Sequence, residues 1–236
     1  MIIGNGMMAS RFSADYSKNS DVLIFASGVS NSSEKNKTAF EREENILQES
    51  MDKYAYKTLV YFSTCSIFDP SLAQSPYILH KLKMEELIRI GISRYFICRT
   101  SNIVGEKGNP NTLINFLVNK IEKQQEFELW ANAFRNILDI DDLFAAVHTM
   151  LSDSLTNQRT ITNVYYPHSY GIAKIISTIE NHLQIKAKYK VVEKGSYYPI
   201  PSSMDLTRFF PDASGQFRED YLSKLLNKYH PVYYTV

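Results

Sequence analysis

Apolar residues in this chain fall alternately into short unbroken runs and into longer stretches with helical spacing. Residues 21–26 (DVLIFA) form one unbroken run, closed by Ser27 and Gly28, which is the pattern of a strand buried on both faces. Residues 58–68 and 95–99 read the same way. Between them lie helix patterns at about 39–54 and 75–90, the latter with Pro76 suited to its first turn. Ahead of all of these, Ile2 and Ile3 form a very short apolar start, followed by glycines and a helical stretch through Met8 and Phe12. Strands separated by helices predict βαβ units, hence a parallel sheet covered on both faces. After Gly105 the pattern changes to a helix at about 111–123, the strand FELW, the segment RNILDIDDLFAAVHTML, the strand TITNVYY, a helix at about 170–182 and a last helix near 217–229. This divides the chain into a core over 1–105 and a smaller lobe over 106–236, with some elements returning to the core.

Composition narrows the class without naming it. At 236 residues, 44% hydrophobic and 22% charged, the chain has the makeup of an ordinary globular protein. A net charge of +1 carries no polyelectrolyte signal, so neither nucleic acid nor an anionic membrane is an expected partner. The two cysteines, Cys65 and Cys98, sit in strand-like runs. That count excludes a disulfide framework and a cysteine zinc site, no metal is expected, and Cys98 reads as a small core residue. The reading suits a reducing cytoplasm. Residues 1–12 lack the charged and apolar regions of a signal peptide, and no run approaches a membrane span of ~20 apolar residues.

The candidate chemistry lies in SPYILHKLKMEEL. Tyr77 and Lys81 are four residues apart, so a helix puts phenol and ammonium on one face. A free tyrosine has a pKa near ~10, and a cation held beside it moves that value toward the working range. Thr64, at the hydroxyl-rich end of the preceding strand, supplies a group that can hold a substrate oxygen beside the phenol. His80 falls on a different helix face and is expected outside the site. Gly4-Asn5-Gly6-Met7-Met8-Ala9 is a G-x-G-x-x-A at a strand-to-helix turn, where backbone N–H groups can receive a pyrophosphate. Its usual acidic ribose partner is missing, because only eight residues separate Phe12 from Asp21. Asp141 and Asp142 read as caps of a helix beginning at Leu143.

Taken in order, GNGMMASRF, DVLIFASGVS, FSTCSIFDP, SPYILHKLKMEEL, RTSNIVG and RNILDIDDLFAAV resemble the motifs of the extended short-chain dehydrogenase/reductase family, and MDLTRFFPD with FREDYLSKLLNKY is similar to its closing segment. These are NAD-dependent epimerases, dehydratases and reductases of nucleotide sugars. The resemblance implies a Rossmann-like doubly wound α/β sheet with a smaller C-terminal substrate lobe. The family's second strand, next helix and third strand have no counterpart here. It further implies Thr64, Tyr77 and Lys81 as catalytic residues. Gly4, Asn5, Gly6, Met7, Met8, Ala26, Ser27, Gly28 and Lys81 would hold NAD or NADP, and Ser66, Asn102 and Arg135 the substrate. Dehydration is disfavoured because the positions after Thr64 are Cys65 and Ser66 rather than acidic. Cys65 should face away from Ser66.

The expected activity is reduction of a keto group on a nucleotide-activated deoxysugar, of the kind used in surface polysaccharides. Epimerisation by transient oxidation and a non-catalytic dinucleotide sensor are the alternatives. A homodimer through the helices at 39–54 and 75–90 is expected, since Leu79, Leu82, Met84, Leu87 and Ile88 exceed one buried stripe.

Overall fold

The structure, a computed structural model, describes residues 1–54, 58–106, 108–153, 159–202, 206–210 and 220–232. Strand β1 (Ile2–Ile3) turns into α1 (Met7–Tyr16), followed by β2 (Val22–Phe25), α2 (Lys37–Lys53), β3 (Thr58–Thr64), α3 (Pro76–Gly91) and β4 (Tyr95–Thr100). Then come β5 (Asn102–Val104), α4 (Leu113–Glu122), β6 (Phe127–Trp130), β7 (Phe134–Asp139), α5 (Ile140–Asp153) and β8 (Arg159–Val164). The last elements are β9 (Ser169–Gly171), α6 (Ile172–Leu183), β10 (Tyr189–Val192) and α7 (Tyr221–Tyr229).

The main sheet has the order β1-β2-β3-β4-β8, and every neighbouring pair is parallel. Alternate residues feed its two faces. Leu23, Phe25, Leu59, Tyr61 and Ile97 pack against Leu47 of α2 and Met84 and Ile88 of α3. Ile24, Val60, Phe96 and Cys98 pack against Phe12 and Tyr16 of α1 and Leu143, Ala146 and Val147 of α5. This is a Rossmann-like fold with helices on both faces.

The order has a topological consequence. In the six-stranded 3-2-1-4-5-6 arrangement the first strand is central, whereas here β1 lies at an edge. The connections through α1, α2 and α3 all step in the same direction across the sheet, yet α1 lies on the opposite face from α2 and α3. The α1 crossover is therefore opposite in hand to the other two, although such crossovers are almost uniformly right-handed. Helix α1 keeps the face it would need to reach a strand outside β1, and the chain instead turns back to β2.

The second lobe joins β5-β7-β9 and β6-β10 to α4, α6 and α7 around Ile137, Ile175, Ile179 and Leu225. Strands β5, β9 and β10 escaped the pattern reading. Two are only three residues long, and β10 is largely exposed along its length, so neither periodicity nor burial marks them.

Three boundaries also differ from expectation. β3 stops at Thr64 instead of continuing to Phe68, because the Thr64 hydroxyl accepts from Ser66 N–H and Cys65–Phe68 coil into a 3-10 turn. α5 starts at Ile140 and not at Leu143, since Asp139 Oδ1 accepts from Asp141 N–H and performs the capping expected of Asp141 and Asp142. Asp141 instead pairs with Arg11 and Lys228, and Asp142 accepts from Tyr221. The last helix begins at Tyr221, and part of the closing resemblance, at 204–205, 211–212 and 217–219, lies outside the described residues.

Candidate active site

The carboxyl ends of the central strands open into a cleft of about 880 Å³ between sheet and second lobe. Gly6, Met7, Met8, Ala26, Gly28, Thr64, Ser66, Tyr77, Lys81, Asn102 and Arg135 all line it. Gly4, Asn5 and Ser27 do not, among the positions expected to hold a cofactor. Open parallel sheets bind ligands at this end of their strands.

Thr64 is the last residue of β3, in register with Thr100 of β4. Ser75 caps α3 by accepting from Ile78 N–H at 3.2 Å, and Pro76 starts the helix, which places Tyr77 over the strand end. Tyr77 and Thr64 both line the cleft, and the Thr64 hydroxyl acts on the Tyr77 phenol. One turn on, the Lys81 ammonium lies 6.0 Å from the Tyr77 ring centre. The sequence-predicted trio is therefore assembled, and all three side chains are buried.

The electrostatics differ from the sequence expectation. Burial pushes the Tyr77 phenol up from its ordinary value, the Thr64 hydroxyl opposes this, and the charge of Glu43 adds to the rise. The Lys81 ammonium is held by other partners. Lys81 Nζ donates to Glu43 Oε1 at 2.9 Å and to the Tyr61 hydroxyl at 3.1 Å. Sequence reasoning passed over Glu43. The signal was there: Glu43, Leu47 and Ser50 form the buried stripe of α2, and a carboxylate on such a stripe demands partners. His80 does not line the cleft, as expected, but it is buried and hydrogen-bonds Glu43 Oε2 at 3.0 Å.

The glycine turn fits a dinucleotide phosphate. No side chain caps α1, so its first-turn N–H groups are free of side-chain acceptors, and Gly6 has open space where a side chain would stand. Gly4 acts indirectly: at φ +128° it lies against the Ala26 carbonyl and joins the ends of β1 and β2. Asn5 is exposed, and Ser27 is held by Arg42, which donates to its carbonyl at 2.9 Å. Gly28 covers Lys81, since a Cβ there would lie 2.8 Å from Nζ.

On the far wall, Arg135 donates to the Phe134 carbonyl and lies 3.8 Å from Asp69. The Asn102 amide donates to the Asn136 carbonyl at 2.8 Å, tying β5 to β7. Ser66 faces the cleft together with Tyr198, whereas Cys65 turns away and its thiol reaches the Arg99 carbonyl. Burial raises the Cys65 thiol far above its ordinary range, so it is no base. Cys98 is buried in the sheet core. Among the described residues no cluster of His, Cys, Asp or Glu could hold a metal, and no helix is long and apolar enough to cross a membrane.

A family model described as the NAD dependent epimerase/dehydratase family matches residues 11–164. The chain belongs to that family. The matched span holds Thr64, Tyr77, Lys81, Asn102 and Arg135, and it begins just after the glycine turn. No curated protein sequence matches this epimerase/dehydratase-family chain. Among solved structures, UDP-glucuronic acid 4-epimerase from Bacillus cereus, in complex with UDP-glucuronic acid and NAD, is similar with a TM-score of 0.67 at 16% identity. That alignment covers 94% of this chain and 77% of the other. RMD from Pseudomonas aeruginosa complexed with NADPH gives 0.61 at 15%, over 96% and 88%. A dTDP-glucose 4,6-dehydratase from Bacillus anthracis with NAD gives 0.62 at 15%, over 97% and 79%. At these identities the likeness is one of fold.

Proposed function

We propose that this family member reduces a keto group on a nucleotide-activated deoxysugar, using NAD(P)H, in the cytoplasm. The observation that carries the reading is the convergence of Thr64, Tyr77 and Lys81 on one cleft, with Lys81 buried one turn from Tyr77. A nicotinamide cofactor supplies the hydride when bound. Met7 and Met8 backbone N–H groups at the start of α1, Gly28 and the third proton of Lys81 are the groups that would hold it. Tyr77 holds a proton on its phenol oxygen and delivers it to the carbonyl oxygen that is becoming a hydroxyl. Thr64 orients that oxygen beside the phenol, and the buried setting of the trio excludes water. Asn102, Ser66 and Arg135 line the far wall for the sugar and its diphosphate, Arg135 being suited to a phosphate.

Two further observations bear on the reading, one against dehydration and one on the choice of cofactor. The residues after Thr64 are Cys65, turned away, and Ser66, so an acid-base pair for dehydration is lacking at that place. With β1 at the edge of the sheet, the strand end that carries the acidic ribose ligand in dinucleotide folds is not there, so NAD and NADP are held with little discrimination. Epimerisation by transient oxidation uses the same trio and is the second reading, favoured by the family match. A screen of nucleotide-4-keto-sugars with NADH and NADPH decides between them. Stoichiometric loss of reduced cofactor is expected, and isomer formation with no net cofactor consumption refutes reduction.

A homodimer through α2 and α3 is part of the same proposal. Met84 and Ile88 are buried against the sheet, but Leu79 is 50% exposed, Leu82 39% and Ile90 75%. An exposed apolar stripe of this kind on α3 suits an isologous contact.

A further inference from the structure

Glu43 is wholly buried, and four donors converge on its carboxylate. Val29 N–H lies at 2.6 Å, the Tyr61 hydroxyl at 2.6 Å, His80 Nε2 at 3.0 Å and Lys81 Nζ at 2.9 Å. A carboxylate has about four lone-pair sites, so this one is saturated. The donors come from the β2–α2 loop, from β3 and from α3, which makes Glu43 the point where three elements meet around the lysine. Lys81 in turn spends two of its three protons on Glu43 and Tyr61, leaving one for the cleft.

We propose that Glu43 is a positioning residue for the proposed reaction: it holds the Lys81 ammonium in one place beneath Gly28 and cancels that ammonium's charge beside Tyr77, so that the phenol keeps its proton until a substrate oxygen takes it. Burial alone would raise the Glu43 carboxyl, but the Lys81 charge, with the His80, Tyr61 and Val29 hydrogen bonds, pulls it down to about 2, so it is charged at neutral pH. The groups facing this cluster are Tyr61 from β3 and Tyr77, His80, Lys81 and Glu85 from α3, with Glu85 itself paired to Arg99 of β4. Tyr61, fully buried and hydrogen-bonded to Glu43, is raised further than ordinary tyrosines and remains a neutral bridge. Glu43 is thus the one carboxylate among these groups that contacts Lys81.

The role rests on the Tyr77–Lys81 reading of the site, so the test is a titration that needs no turnover. In protein labelled with 13C at tyrosine Cζ, the Tyr77 signal is assigned by its loss in Tyr77→Phe, and its midpoint is followed against pH in Glu43→Gln. Glutamine keeps the shape and leaves the Lys81 charge uncancelled. The Tyr77 midpoint is expected to fall by about one pH unit or more, while Glu43→Asp, which keeps the charge, falls by less. An unchanged midpoint in folded Glu43→Gln overturns the proposal, even if that variant is less stable. If Glu43→Gln does not fold, the unsubstituted protein still decides. A 15N-detected Lys81 ammonium signal with slow solvent exchange is required, and exchange as fast as that of exposed Lys37 overturns the proposal. Failure of the keto-reduction reading shows separately, as absent turnover with an intact titration shift.

Discussion

The two glycines at the start of α1 have opposite jobs, and a matched pair of substitutions separates them. Gly4 has φ +128°, a region that side chains with a Cβ avoid at about 1–3 kcal/mol. A Cβ there would also stand 2.7 Å from the Ala26 carbonyl carbon and nearer still to its oxygen. Ala26 cannot retreat, because its own N–H donates to the Ile3 carbonyl at 2.7 Å and holds β2 on β1. Adding an overpacking cost of about 1–3 kcal/mol to the strain gives about 2–6 kcal/mol for Gly4→Ala. For a domain of this size that is a fall in melting temperature of about 4–24 °C. Gly6 has φ −84° and ψ −172°, which any residue adopts, and nothing lies within 4 Å of a Cβ placed there. Gly6→Val changes only the helix cap, about 0.5–1 kcal/mol, or about 1–4 °C. Its side chain does occupy the space through which a pyrophosphate approaches the α1 N–H groups, so dinucleotide binding is expected to drop below detection. Differential scanning calorimetry and isothermal titration with NADH and NADPH read the two effects. Gly4→Ala melting within 2 °C of the unsubstituted protein would falsify the geometry of the turn. Unchanged dinucleotide affinity in Gly6→Val would show that the phosphate lies elsewhere.

Tyr77→Phe is expected to fold and bind cofactor normally while turnover falls by about 10²–10⁴; near-normal turnover on the identified substrate removes Tyr77 from proton delivery and favours the sensor alternative. Light scattering at micromolar concentration is expected to give twice the chain mass, and Leu79→Glu with Leu82→Glu to give the monomer mass; a monomeric unsubstituted protein rules out the α2–α3 dimer. The Glu43 carboxyl is depressed on folding from 4.5 to about 2, so its stabilisation is complete above pH 4.5 and is lost as pH falls toward 2. Urea denaturation across that window is expected to show a shallower loss of stability with falling pH in Glu43→Gln; equal slopes refute the depressed carboxyl.

Local chemistry was enough to read much of this protein from its sequence. Buried parallel strands leave unbroken apolar runs, so β2, β3 and β4 were legible within a few residues. Four-residue spacing on a helix puts Tyr77 and Lys81 on one face wherever that helix goes. The absence of an outer strand was also legible, because eight residues between Phe12 and Asp21 cannot hold a strand and its crossover. What remained hidden depends on contacts between distant segments. The pattern assigns α1 a buried face but not which face of the sheet it covers, and only the folded sheet shows its crossover opposite in hand to those of α2 and α3. Strand β10 pairs with β6 some sixty residues earlier, through backbone groups that every residue carries, so side chains do not announce it. The charge state around Tyr77 is the clearest case. Sequence spacing brings a cation to the phenol, but Glu43, 38 residues before Lys81, reaches that cation first. Burial then raises the cost of ionising the phenol, and burial is a property of the whole fold rather than of any segment.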